Sequence, residues 1–113
     1  MTRTNLPIGA GYSSEEIAKA KAAIARFYSW QRINPEAWAF IERLFLERVS
    51  LGERVSGAWL VEQVRKKSFV DRMGNDTKVN NVYAPIIIRL LLKKHPAAAS
   101  LVEKRTTIFE WLV

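Results

Sequence analysis

Residues 80–96, NNVYAPIIIRLLLKKHP, constrain the chain more than any other stretch. Tyr83, Ile86, Ile87, Ile88, Leu90, Leu91 and Leu92 cover most of the circumference of a helix, whereas a helix on a protein surface normally carries one apolar stripe. Such a segment is stable only when neighbouring helices wrap it. Asn80 opens it as a cap and His95-Pro96 closes it. The remaining narrow arc holds Val82, Pro85, Arg89 and Lys93. The segment is expected to be the central helix of a small domain, with the other helices packed around it.

The flanking sequence supplies those helices. Ser13 and Glu16 have the spacing of a capping box, so a first helix is expected over 14–31, with Ile17, Ala20, Ile24, Phe27 and Tyr28 on its packing face. Asn34-Pro35 reads as a cap followed by proline at the first helical position. It opens a second helix that ends near Leu51-Gly52 and uses Trp38, Ile41, Leu44, Phe45 and Val49 as its core face. Arg43 and Glu47 suit a solvated surface pair without functional weight. Ser56 caps a third helix over 57–67, containing Trp59, Leu60, Val61 and Val64.

The linking segment SFVDRMGNDTKV has turn chemistry at Gly74-Asn75-Asp76 and suits a hairpin or extended loop. Val102, Thr106, Thr107, Ile108 and Phe109 favour extended backbone, so a strand over 101–106 is expected to pair with 69–72. Residues 1–12, with Pro7, Gly9 and Gly11 and no periodicity, form an arm ahead of one domain over 13–113. The fold class expected is mainly α, a bundle of about four helices with a small β-hairpin or strand element.

Composition limits the function. The chain has 113 residues, no cysteine and one histidine, which removes disulfides and thiolate metal sites and leaves no metal-ligand cluster. His95 precedes a proline at a helix end, where a capping or surface role is expected. Gly52, Gly57 and Gly74 lack the spacing of a phosphate-binding loop. No nucleophile, base and acid stand in motif spacing, so the chain is not expected to be an enzyme and no cofactor is expected. The N-terminus lacks the apolar core of a signal peptide, and no run approaches the roughly 18 apolar residues of a membrane span. A cytoplasmic location without membrane association is expected.

The formal net charge is +7 and is unevenly placed: residues 1–53 hold seven basic and six acidic side chains, residues 54–113 eleven and five. A basic half of this kind favours acidic partners. Arg65, Lys66 and Lys67 crowd the end of the third helix. They complement its dipole and are also placed for phosphate contact. With Arg72, Lys78, Arg89, Lys93, Lys104 and Arg105 they form the candidate nucleic-acid-binding set. Of the arc on the central helix, Arg89 alone has the planar fork that grips guanine.

From Phe40 onward the order of features resembles a winged-helix protein. SGAWLVEQVR followed by NNVYAPIIIRLLLKKHP is similar, more narrowly, to small winged-helix proteins encoded by bacterial phages and prophages, in which a central Asn-Asn helix ends in His-Pro. The resemblance covers roughly the C-terminal two thirds of the chain and implies a winged-helix-like architecture and DNA binding. The connection between the third and fourth helices is about a dozen residues, longer than the turn of roughly 3–4 residues in a helix-turn-helix. The central helix is therefore not assumed to read bases.

Two functions are expected from these features. The first is a phage or mobile-element DNA-binding accessory or regulatory protein that uses mainly backbone phosphates, with the hairpin or terminal strands as a wing. The alternative is a protein-binding module: a small inhibitor of a host nucleic-acid-handling or defence complex, or a self-associating chain. That alternative rests on Phe109, Trp111 and Leu112 in the terminal IFEWLV, which would form its interface unless they fold back onto the first two helices as core.

Overall fold

The computed structural model describes residues 11–104 and 107–113, Trp111 by its backbone alone. The chain folds as a helical bundle with a two-stranded parallel sheet. Its elements are α1 (Ser14–Ile33), α2 (Pro35–Ser50), β1 (Val55–Ser56), α3 (Gly57–Lys66), α4 (Ala84–Lys94), β2 (Val102–Glu103) and α5 (Phe109–Leu112), with 3-10 turns at Asn81–Tyr83 and Pro96–Leu101. No described helix is long and apolar enough to cross a membrane.

Local chemistry sets the helix starts. The Ser13 hydroxyl accepts from the Glu16 amide and the Glu16 carboxylate accepts from the Ser13 amide, both at 3.1 Å, closing the expected capping box. Ser56 accepts from the Trp59 amide at 3.1 Å and starts α3. Asn80 accepts from the Val82 amide at 3.0 Å. That cap begins a 3-10 turn instead of the α-helix, so Pro85 falls in the first turn of α4, where its missing N–H leaves no bond unmade. Gly52, at φ +70°, takes the left-handed backbone that turns the chain away from α2.

The core is built around α4. Ile86, Ile87, Ile88 and Leu91 are buried from α4, against Leu60, Val61 and Val64 of α3 and Ile41 and Phe45 of α2. Burial of three consecutive isoleucines requires neighbours on every side of that turn. α3 and α4 approach closely at Gly57, where a Cβ would lie 2.1 Å from the Ala84 carbonyl oxygen. Tyr83 stacks edge-on to Phe27 at 5.5 Å and tilted to Trp30 at 6.1 Å. The buried face of α1 is Ala20, Ala23, Phe27 and Trp30. It is rotated from the expected one, leaving Tyr28 exposed, because Trp30 finds both an aromatic seat and an acceptor for its indole N–H in the Lys78 carbonyl, 2.8 Å away.

Three expectations are corrected. The terminal strand does not pair with 69–72: β2 pairs in parallel with β1, Val55 opposite Val102 and Ser56 opposite Glu103. The 69–72 backbone is already engaged, with Asp71 N–H on the Asn75 carbonyl at 2.8 Å, Arg72 N–H on the Ile33 carbonyl at 2.8 Å and the Phe69 carbonyl accepting from Thr77 at 2.9 Å. The last residues are not extended; Thr107 accepts from the Glu110 amide through its carbonyl and from the Phe109 amide through its hydroxyl, which initiates α5. Asn34 occupies the cap position of α2 without a side-chain capping bond. Its amide donates instead to the Trp30 carbonyl at 2.9 Å and accepts from the Thr77 hydroxyl at 2.6 Å.

Candidate nucleic-acid interface

The loop between α3 and α4 is a short hairpin closed by an antiparallel bridge between Val70 and Asp76. Asp71 organises its tip: one carboxylate oxygen accepts from the amides of Met73, at 2.8 Å, and Asn75, at 3.0 Å, and Gly74 turns at φ +84°. The base is pinned to the α1–α2 corner through Asn34–Thr77, Trp30–Lys78 and Ile33–Arg72. The Phe69 ring packs 5.1 Å from that of Phe40 on α2.

These anchors gather basic side chains from four parts of the chain. Lys67, at the end of α3, holds its ammonium 4.8 Å from the Phe40 ring centre, and the Arg43 guanidinium of α2 lies 5.6 Å from the same ring. Arg65 donates to the Val79 carbonyl at 2.9 Å, so its head lies against the second hairpin strand. Arg72 and Lys78 belong to the hairpin itself, and the backbone bond from Arg72 to Ile33 sets it at the end of α1, where the Arg32 guanidinium donates to the Ser29 hydroxyl at 3.3 Å. Lys66, Lys67, Arg72 and Lys78 are exposed, and among the described residues none of them is ion-paired. Residues 65–78 hold five basic and two acidic side chains. One of the two, Asp71, accepts from the loop amides through one carboxylate oxygen.

The other predicted cations stand apart from this end. Arg89 is corrected from an exposed contact to a buried one: it is 6% exposed, donating to the Glu110 carboxylate at 2.9 Å and the Pro85 carbonyl at 3.0 Å. Lys104 bonds the second Glu110 oxygen. The Lys104 hydrogen bond, followed by the charge of Arg89, holds the Glu110 carboxyl below its ordinary range against the opposing effect of burial. Lys93 is exposed beside that group, and Arg105 lies outside the described residues. Residues four apart on α4 thus have different fates, because α5 covers Arg89 and leaves Lys93 in solvent.

Of the two readings of the terminal IFEWLV, Phe109 follows the core one and not the interface one. Phe109 is 7% exposed and belongs to the core, with Ile108, Leu112 and Val113 packed on its edge. The segment folds back onto α1 and α4, not onto α1 and α2. The Trp111 side chain lies outside the described residues.

His95 sits at the end of α4, where its amide donates to the Leu91 carbonyl at 2.8 Å. Its ring meets the Glu42 carboxylate of α2 at 2.9 Å, and Lys94 reaches the same oxygen at 2.8 Å. The hydrogen bonds from Lys94 and then His95 hold Glu42 below the usual carboxylate range. This cluster fastens α2 to α4.

Arg32 and Arg43 were not in the candidate set. Each sits on an ordinary amphipathic helix with nothing local to distinguish it; the hairpin reaches the end of α1 through the Arg72–Ile33 bond and α2 through the Phe69–Phe40 contact. Comparison with known protein families, curated proteins and solved structures gave no match.

Proposed function

We infer that the chain is a DNA-binding accessory or regulatory protein of a phage or mobile element, engaging duplex DNA mainly through backbone phosphates. The observation that carries this reading is the basic end at the hairpin, where Arg32, Arg43, Lys66, Lys67, Arg72 and Lys78 surround one anchored loop. Contrast within the molecule supports it. Several basic side chains elsewhere have carboxylate partners, as Arg54 has Glu103 at 2.7 Å and Arg48 has Glu53 at 2.9 Å. Among the described residues Lys19, Lys21, Arg26 and Lys93 share the unpaired state of Lys66, Lys67, Arg72 and Lys78, but only the latter four lie along one hairpin and the helix end that leads into it. The order helix, strand, helix, helix, strand over residues 35–103 is consistent with a winged-helix-like plan, with the hairpin before α4 in the part of a wing.

Fluorescence anisotropy with a labelled duplex of mixed sequence, titrated at several salt concentrations, tests the reading. Binding is expected to weaken steeply with salt, the logarithmic slope reporting about 0.9 per phosphate contact. The variant carrying Lys67→Ala, Arg72→Ala and Lys78→Ala should flatten that slope. Folded protein in micromolar excess that gives no signal at low salt would sink the proposal.

A second reading, as a protein-binding module that docks on a host complex, draws on exposed Ile33, Val70 and Met73 at the same end. Pull-down of one defined host protein, lost on Met73→Asp, would favour it over DNA.

A further inference from the structure

The tip of the hairpin joins two properties that seldom coincide in a surface loop: its backbone is fixed, and its apex is apolar. Met73 is 75% exposed and Val70 51% exposed. Ile33 lies next to them, since its carbonyl accepts from the Arg72 amide. Arg72 directly precedes Met73, and Lys78 stands at the base of the hairpin, where its carbonyl accepts from the Trp30 indole. Asp76 is exposed at the base of the tip, while one carboxylate oxygen of Asp71 accepts from the Met73 and Asn75 amides.

We propose that Met73 is a wedge which enters the minor groove of duplex DNA and partly unstacks a base step, with Arg72 and Lys78 seated on the adjoining phosphates. The inference rests on the DNA-binding reading above. Apolar side chains, methionine among them, serve this purpose where a protein bends DNA toward the major groove. A turn presents a single side chain at its apex, which a groove roughly 6 Å wide admits, while it excludes a helix roughly 10–12 Å across. The unbranched thioether is narrow and polarisable, suited to slide between base faces. The fixed turn matters as well. Five bonds hold it, counting those from Asp71, Gly74 and Thr77, so little ordering of the loop is left to oppose insertion. The positive flanks favour a polyanion over an apolar protein groove, because burying Arg72 and Lys78 against apolar surface would desolvate them without compensation.

The test uses the whole chain and a duplex of about 25 base pairs, a length over which a protein-induced bend is measurable. The duplex carries end labels for energy transfer and 2-aminopurine at a central flexible TA step. The wild-type chain is expected to raise both energy transfer and 2-aminopurine fluorescence on binding. Met73→Ala, at an exposed position outside the core, should bind within a few-fold of wild type and lose both rises, and Met73→Leu should keep them. Binding by the wild type with neither signal, or equal signals from Met73→Ala, overturns the wedge and leaves the DNA-binding reading standing. No anisotropy change at low salt overturns both. Met73-dependent binding to polyglutamate in place of the duplex would assign the tip to an acidic protein and also overturn the wedge.

Discussion

Replacing Gly57 by alanine tests the packing of the central helix directly, because two effects of opposite sign compete there. Alanine is the better helix former, by up to about 1 kcal/mol in a helix interior and by less at the first position that Gly57 holds, so a loosely packed α3 would be stabilised. In the structure the new Cβ lands 2.1 Å from the Ala84 carbonyl oxygen and 2.7 Å from its carbon. Both neighbours are backbone at the start of α4 and cannot swing aside as a flexible side chain would. Restoring normal contact requires α3 and α4 to part by about 1 Å, and overpacking of this kind costs roughly 1–3 kcal/mol. With unyielding neighbours the upper end applies. The net destabilisation is then about 2 kcal/mol, a fall in Tm of roughly 10 °C for a domain of this size. Urea unfolding followed by tryptophan fluorescence, with Tm from far-UV circular dichroism, measures it. Gly52→Ala is the control: its surroundings are open, so only the strain of a positive φ remains, about 1 kcal/mol. A Gly57→Ala protein as stable as wild type would refute the close approach of α3 and α4.

Other expected outcomes concern the polar connections. Asn34→Ala removes a buried side chain that joins the α1 carbonyl end to the hairpin, at a cost of about 1–3 kcal/mol; hydrogen exchange should show the Arg72 and Thr77 amides losing protection before those of α4. Glu110→Gln should destabilise by about 1–2 kcal/mol, less than a fully buried pair because the carboxylate is partly exposed and shared with Lys104. Glu42 and Glu110 both have folded-state values below the reference of 4.5, so the unfolded chain takes up protons first as pH falls. Their contribution is therefore complete above that reference and is lost as pH drops through the depressed folded values; the Glu42→Gln and Glu110→Gln double variant should show a flatter Tm profile across that acid range. Lys93→Ala should change DNA affinity less than Lys67→Ala or Arg72→Ala in the anisotropy titration, since it lies away from the hairpin.

Legibility followed the range of the interaction. The capping box at Ser13, the Ser56 cap and the Asn34-Pro35 start placed α1, α2 and α3 to within about two residues, the scatter usual for helix ends; the His95-Pro96 stop placed the end of α4, whose start falls at Ala84, three residues after the expected one. They act between neighbours in sequence. The strand partners were misread because β1 and β2 span two residues each, too short for a period-two pattern to identify a partner. The terminal IFEWLV was ambiguous for a related reason. Its β-favouring residues are overridden by the turn in which Thr107 accepts from the Glu110 and Phe109 amides and by Phe109 finding a core site.

The candidate interface was half legible. Lys66, Lys67, Arg72 and Lys78 meet at the anchored hairpin, while Arg32 and Arg43 join them from helices whose sequence offers no sign of it. Arg89 and Lys93 occupy one arc of a helical wheel, yet only Lys93 is exposed.

The sequence by itself determined the bounds of the first three helices and that the apolar segment within residues 80–96 had to be enclosed, because caps act over three or four residues and an all-round apolar surface is unstable in water. Tertiary structure alone decided which charges face solvent. The bonds Arg89–Glu110, Thr77–Asn34 and Trp30–Lys78 span 21, 43 and 48 residues. No local pattern encodes them: each depends on where the completed core sets two distant backbones side by side.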